Sequence, residues 1–135
     1  MSQKKRTVLL VEDHPEVRRA LGERVEALGL TSIEVSDGRA ALNRLASEAP
    51  DLVCLDIILP ESSGYEICHY IRSAPHLRNV PVLMMSGRGL PGESAFAEEA
   101  GADAFLGKPF SLQQFENSVK QMLGARRAEE EGPDE

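Results

Sequence analysis

Five short apolar runs alternate along this chain with five stretches whose apolar residues recur at helical spacing. Thr7–Val11 is the first run, and Val17, Leu21, Val25 and Leu28 then mark one face of a helix that follows Pro15 and stops at Gly29-Leu30. Proline suits a first helical turn because the N–H it lacks would have no helical partner there, and glycine suits the stop because it takes the left-handed conformation freely. Ser32–Ser36 alternates polar and apolar positions and leads through Asp37-Gly38 into a helix bearing Ala41, Leu42 and Leu45. Pro50 punctuates the chain before Leu52-Val53-Cys54-Leu55, a run that ends at Asp56. Turn-forming residues up to Gly64 precede a helix with Ile67, Cys68 and Ile71 on one face. Pro81–Met85 delivers Ser86 to its end, and Ala95, Phe96, Ala97 and Ala100 predict a helix stopped by Gly101. Ala104–Leu106 is a short fifth run, followed by a Gly107-Lys108-Pro109 turn. Ser111-Leu112-Gln113-Gln114 then reads as a capping box opening a last helix, whose buried face carries Leu112, Phe115, Val119, Met122 and Leu123.

Strict alternation of strand and helix predicts an α/β fold, a parallel sheet covered on both faces by five helices. Runs one, three and four are continuously apolar, as buried central strands require, whereas the second alternates and the fifth is very short. Those two belong at the edges, which selects the flavodoxin-like doubly wound order 2-1-3-4-5. Ligands in such folds bind at the carboxyl ends of strands near the switch point between strands one and three. Glu12, Asp13 and Asp56 follow strands one and three, so three carboxylates are expected at that edge.

A length of 135 residues suits a single domain, expected over residues 1–123, with 124–135 as an acidic, disordered tail or linker. The net charge is −7, of which residues 125–135 supply −3 and residues 1–124 the other −4. An acidic body speaks against nucleic-acid binding, which needs a basic surface. No apolar stretch approaches the roughly 20 residues that cross a bilayer, so the expectation is a cytoplasmic protein with no membrane contact. Cys54 and Cys68 lie in apolar or helical patterns and read as reduced structural thiols. His14 reads as a packing or capping residue rather than a proton relay.

Carboxylates crowded at one sheet edge repel unless a cation compensates them. Ser86 and Lys108 end strands four and five and are expected at the same crevice. Hard oxygen donors with no histidine or thiolate expected nearby favour Mg²⁺ or Mn²⁺ over zinc or copper. Magnesium sites of this kind take substrate phosphate oxygens, and a carboxylate can form an aspartyl phosphate, so Asp56 is the candidate nucleophile.

Glu12-Asp13, Asp56, Ser86 and Lys108-Pro109, in that order and each at a strand end, resemble the receiver domains of bacterial two-component response regulators over roughly residues 6–123. Pro60, Gly64, Gly101-Ala102-Asp103 and Phe105 are supporting marks. The resemblance implies that Asp56 accepts a phosphoryl group from a phosphohistidine on a sensor histidine kinase or phosphotransfer protein. It further implies that Glu12, Asp13, Asp56 and the Ile58 backbone carbonyl hold Mg²⁺, and that Lys108 pairs with the phosphoryl group across a cis Lys108-Pro109 bond. Ser86 and Phe105 would be the switch pair, Ser86 turning to the phosphoryl group and Phe105 turning inward. Phosphorylation would thereby change the face formed by the fourth helix, fifth strand and fifth helix, which docks a downstream protein partner or a phosphorylation-dependent second copy. Ile58 and Arg88 occupy places similar to those that tune phosphoryl lifetime; apolar Ile58 would hinder the attacking water. On this reading the chain is not an enzyme acting on other substrates but a phosphoacceptor that assists its own phosphorylation and dephosphorylation. Two other readings stay open: a phosphorylation-independent pseudo-receiver that only binds partners, and a Mg²⁺-dependent aspartyl-phosphate phosphatase. The phosphatases of that class place a second acid two residues after the nucleophile, where this chain has Ile58.

Overall fold

The computed structural model describes residues 5–87 and 91–131, with side chains as far as Gly124. The elements run β1 Thr7–Val11, α1 Pro15–Ala27, β2 Thr31–Val35, α2 Gly38–Ser47, β3 Leu52–Asp56, β4 Ile58–Leu59, β5 Ser62–Ser63, α3 Gly64–Ser73, β6 Val82–Ser86, α4 Glu93–Ala100, β7 Ala104–Gly107 and α5 Leu112–Glu131. Five of the strands form one parallel sheet in the order β2-β1-β3-β6-β7, which is the flavodoxin-like doubly wound arrangement. The edge positions of β2 and β7 follow from their sequences: β3 and β6 are buried throughout, whereas β2 and β7 contain no buried residue.

Period-two geometry splits each central strand between two cores. Leu9, Val11, Val53, Leu55, Val82 and Met84 point to the face covered by α2, α3 and α4, where they meet Ala41, Leu45, Ile67, Ile71 and Ala97. Val8, Leu10, Leu52, Cys54, Leu83 and Met85 point to the opposite face, against Leu21 and Val25 of α1 and Phe115, Val119 and Leu123 of α5. Burying a side chain of this size stabilises the fold by about 1.5–3 kcal/mol. Both cysteines are buried and unbridged, and burial pushes each thiol up from its ordinary value.

Local signals operate as the sequence predicts at Gly29, which is left-handed at φ 85°, and at the Ser111–Gln114 capping box, whose two reciprocal bonds are 2.8 and 3.0 Å. Four features depart from expectation. The turn-rich segment after Asp56 forms a two-stranded antiparallel hairpin, β4 with β5, which ends in a second capping box between Ser63 and Glu66. Phe96 is 60% exposed, and Leu112 and Val17 also stand out from the core. The helix α5 continues to Glu131, so the segment from Gly124 to Glu131 is helical rather than a disordered tail. Ala125 to Glu131 is built only from alanine, arginine and glutamate, all strong helix formers. His14 is the N-cap residue of α1 but makes no side-chain cap.

The C-terminal end of α4 is fastened by Arg72. Its guanidinium donates to the carbonyls of Gly101 at 2.9 Å, Arg78 at 3.1 Å and Val80 at 2.7 Å, and to Asp103 Oδ2 at 2.8 Å. Asp103 Oδ2 in turn accepts from the Val82 N–H, joining this clamp to the start of β6. Among the described residues no helix is long and apolar enough to cross a membrane.

Candidate functional site

Strand register alone brings the candidate residues together. Val11 pairs with Leu55, Asp56 with Met85, and Ser86 with Gly107, so Glu12, Asp56, Ser86 and Lys108 lie in sequence across the carboxyl edge of the sheet. The Lys108 N–H donates to the Ser86 carbonyl, continuing the ladder past the last paired residues.

Lys108 Nζ lies 2.9 Å from Glu12 Oε1 and 2.9 Å from Asp56 Oδ2. Glu12 is fully buried, Asp56 nearly so, and the ammonium is partly open to solvent. One cation between two carboxylates leaves the trio with a net negative charge, and the consequences differ for each group. Burial pushes the Asp56 carboxyl up; the Lys108 hydrogen bond opposes this, the charge of Glu12 adds to it, and the result lies above the ordinary value. Burial also pushes Glu12 up, but its bonds to Lys108 and to the His14 backbone outweigh that, and its carboxyl is held below the ordinary range. Lys108 is held above its ordinary value, since the two carboxylates overcome the effect of burial.

Each acid is fixed by further contacts. Asp56 Oδ1 accepts from the Ile58 N–H at 3.3 Å. Glu12 Oε2 accepts from the His14 N–H at 3.2 Å and lies 3.2 Å from His14 Nδ1, while the same ring nitrogen is 3.4 Å from Asp13 Oδ1. The His14 side chain thus makes no helix cap: its ring turns back over the acidic pair, with Nδ1 within hydrogen-bonding distance of both carboxylates. Arg18 Nη1 donates to the Glu12 carbonyl at 2.8 Å and fixes the backbone of the pair. Asp13 has its carboxylate partly open to solvent.

Ser86 is buried at the end of β6, and its hydroxyl donates to Glu93 Oε2 at 2.7 Å. Glu93, the first residue of α4, is itself buried. Sequence reasoning missed it, because an acid in a first helical turn is the ordinary complement of the helix dipole and carries no sign of burial. Phe105 pairs in register with Met84 and lies partly buried against the core, beside a cavity of about 230 Å³ also lined by Ala97, Glu98 and Ala102. Ile58 is 49% exposed, two residues beyond Asp56. Arg88 lies outside the described residues. The Lys108–Pro109 bond is cis.

A family model described as the response regulator receiver domain matches residues 8–120. The transcriptional regulatory protein GltR of Pseudomonas aeruginosa is 34% identical over 129 residues, which is 96% of this chain and 52% of GltR. The polar-differentiation response regulator DivK of Brucella anthropi is 30% identical over 119 residues, 88% of this chain and 97% of DivK. The chain therefore spans about half the length of the first relative and nearly all of the second. The signal receiver domain of a signal transduction histidine kinase from Syntrophus aciditrophicus superposes with a TM-score of 0.81 at 32% identity, covering 88% of this chain and 90% of that one. A match that takes in every strand but the first residue of β1, and every helix but the end of α5, assigns the chain to the response regulator receiver domains of two-component signalling.

Proposed function

We propose that Asp56 is the phosphoacceptor of this receiver, taking its phosphoryl group from a phosphohistidine on a sensor histidine kinase or phosphotransfer protein. The observation that carries the reading is the Lys108 ammonium bonded at once to Asp56 and Glu12 in a nearly buried crevice. In the transfer an Asp56 carboxylate oxygen attacks phosphorus, the phosphorus–nitrogen bond breaks, and the imidazole leaves with the bonding pair. Phosphoryl transfer needs chiefly positioning and charge neutralisation. Lys108, already oriented on Asp56 Oδ2, is placed to follow the charge onto the phosphoryl oxygens.

The carboxylates of Glu12, Asp13 and Asp56, with the Ile58 carbonyl close by in sequence, are hard oxygen donors that suit a small cation, and the His14 ring nitrogen, which the sequence did not place here, lies against the first two. These residues would hold Mg²⁺, which when bound supplies neutralising charge for the phosphoryl group. Ser86 and Phe105 are the switch pair of this reading. Ile58 with Arg88 sets the phosphoryl lifetime, and the face of α4, β7 and α5 docks the downstream protein partner. The two free, buried thiols support work in a reducing compartment, the cytoplasm.

Incubation with acetyl phosphate and Mg²⁺, followed by intact mass measurement, tests the acceptor. A single phosphoryl adduct on the parent protein and none on Asp56→Asn is the expected result; no adduct on either overturns the proposal, as does continuing release of phosphate from added phosphomonoesters.

A further inference from the structure

Ser86 has one hydroxyl proton, and in this structure it is given to Glu93. The bond joins the end of β6 to the first residue of α4 across seven positions of chain. It is short, buried at both ends and made to a carboxyl oxygen, the kind of hydrogen bond that contributes most.

The helix on the far side of that bond is lightly anchored. Of the eight residues of α4 only Glu93 and Ala97 are buried, and Phe96 faces solvent. Its N-cap is Gly92 at φ 77°, which offers no side chain to the free amides of the first turn. Glu93 is therefore half of the buried side-chain set that ties α4 to the rest of the fold. By contrast, α3 buries Ile67, Cys68 and Ile71 together with Gly64.

We propose that Glu93 is a positioning residue: a latch that keeps the Ser86 hydroxyl engaged in the unphosphorylated protein and links phosphoryl capture at Asp56 to the first turn of α4. The inference rests on the receiver reading of Asp56. For Ser86 to donate to a phosphoryl oxygen, its single proton must leave Glu93, so capture of the phosphoryl group and release of the α4 contact are one event. The Glu93 contact thus opposes phosphorylation, and a phosphoryl group on Asp56 weakens the hold on α4 by the same free energy.

Beryllofluoride with Mg²⁺ is a probe of the phosphorylated state that needs no kinase. Its affinity is measured for the parent, Glu93→Ala, Ser86→Ala and the double variant. Glu93→Ala is expected to bind about tenfold more tightly than the parent, as loss of a competing charged hydrogen bond implies. Against Ser86→Ala, the same change at Glu93 should leave affinity within about twofold, since the effect passes through the serine hydroxyl. Without ligand, amide hydrogen exchange in the first turn of α4 should quicken in both single variants. Equal affinity of Glu93→Ala and parent, or a gain that persists without the Ser86 hydroxyl, overturns the latch alone. A parent that takes up no beryllofluoride overturns the receiver reading and the latch with it. Should Glu93→Ala not fold, Glu93→Gln, which keeps an acceptor oxygen but not the charge, gives a smaller gain of the same sign, and no gain overturns the latch.

Discussion

Asp56 and Glu12 share one ammonium, yet their carboxyls shift in opposite directions, and stability follows with opposite signs. The Asp56 carboxyl lies above its unfolded value, so its favourable contribution is complete in acid, below the unfolded pKa of about 3.9, and is lost as pH rises through the raised folded value. Glu12, held low, contributes stability above the unfolded pKa of about 4.3 and loses it as pH falls through the folded value. In Mg²⁺-free urea titrations Asp56→Asn should therefore gain on the parent as pH rises from acid to neutral, by on the order of 1 kcal/mol. Glu12→Gln should lose over the same interval; equal pH profiles for the two variants would contradict the assignment. A second expectation concerns Ile58, whose exposed side chain stands beside an acceptor oxygen bonded by its own N–H. Ile58→Asn replaces an apolar screen with a group that can orient water, and the aspartyl phosphate should decay about fivefold faster, roughly 1 kcal/mol of barrier, in a phosphate-release time course. The acids were legible in the sequence because each ends an apolar run. The partner of Ser86 was not, since nothing in Gly92-Glu93-Ser94 distinguishes a buried glutamate from a solvated one.

The hairpin of β4 and β5 shows how little sequence is needed to shape the crevice. Its strands have two residues each, too short for period two to be read, and the turn between them places Glu61 at φ 60°. Left-handed backbone costs a non-glycine residue about 1–2 kcal/mol, partly offset in glycine by greater freedom when unfolded. Glu61→Gly should thus stabilise the protein by about 0.5–1 kcal/mol by denaturant titration. Gly64, at the end of the hairpin, has the reverse requirement: a Cβ there would sit 2.5 Å from the Asp56 carbonyl oxygen, and the Gly64 N–H already donates to Ile57. Backbone cannot yield as a flexible side chain does, so Gly64→Ala should destabilise by about 1–3 kcal/mol and displace the acceptor, lowering the rate of acetyl phosphate labelling as well. A variant with full stability and full labelling would refute the close-packing argument. Caps at Pro15, Gly29 and Ser111 were readable because each is a local rule. The Ser63–Glu66 box was hidden inside a run of turn residues, and the helical extension of α5 was masked by its acidic charge.

Across the whole molecule the sheet divides two cores that differ in what covers them: three helices on one face, two on the other. The topology was legible because continuous apolarity marks central strands and alternation marks edges. Which helix packs loosely was not, since that depends on the fit of each stripe to its groove. Among the described residues the last buried side chain of α5 is that of Leu123, so a chain ending at residue 124 should unfold within about 1 kcal/mol of the full chain in urea and accept phosphate equally well. A larger loss would mean that the end of α5 helps hold the domain. The Arg72 clamp has a mechanical consequence of its own. It seizes only the Gly101 end of α4, while the Glu93 end is joined to the sheet edge where phosphate would arrive. Eight residues of helix span about 12 Å, so a tilt of about 10° about a pivot near Gly101 carries the opposite end roughly 2 Å. Were phosphoryl capture to free the Glu93 end, Arg72 would make this short helix a lever with its fulcrum at one tip and set its sweep from a point remote from the carboxylate edge.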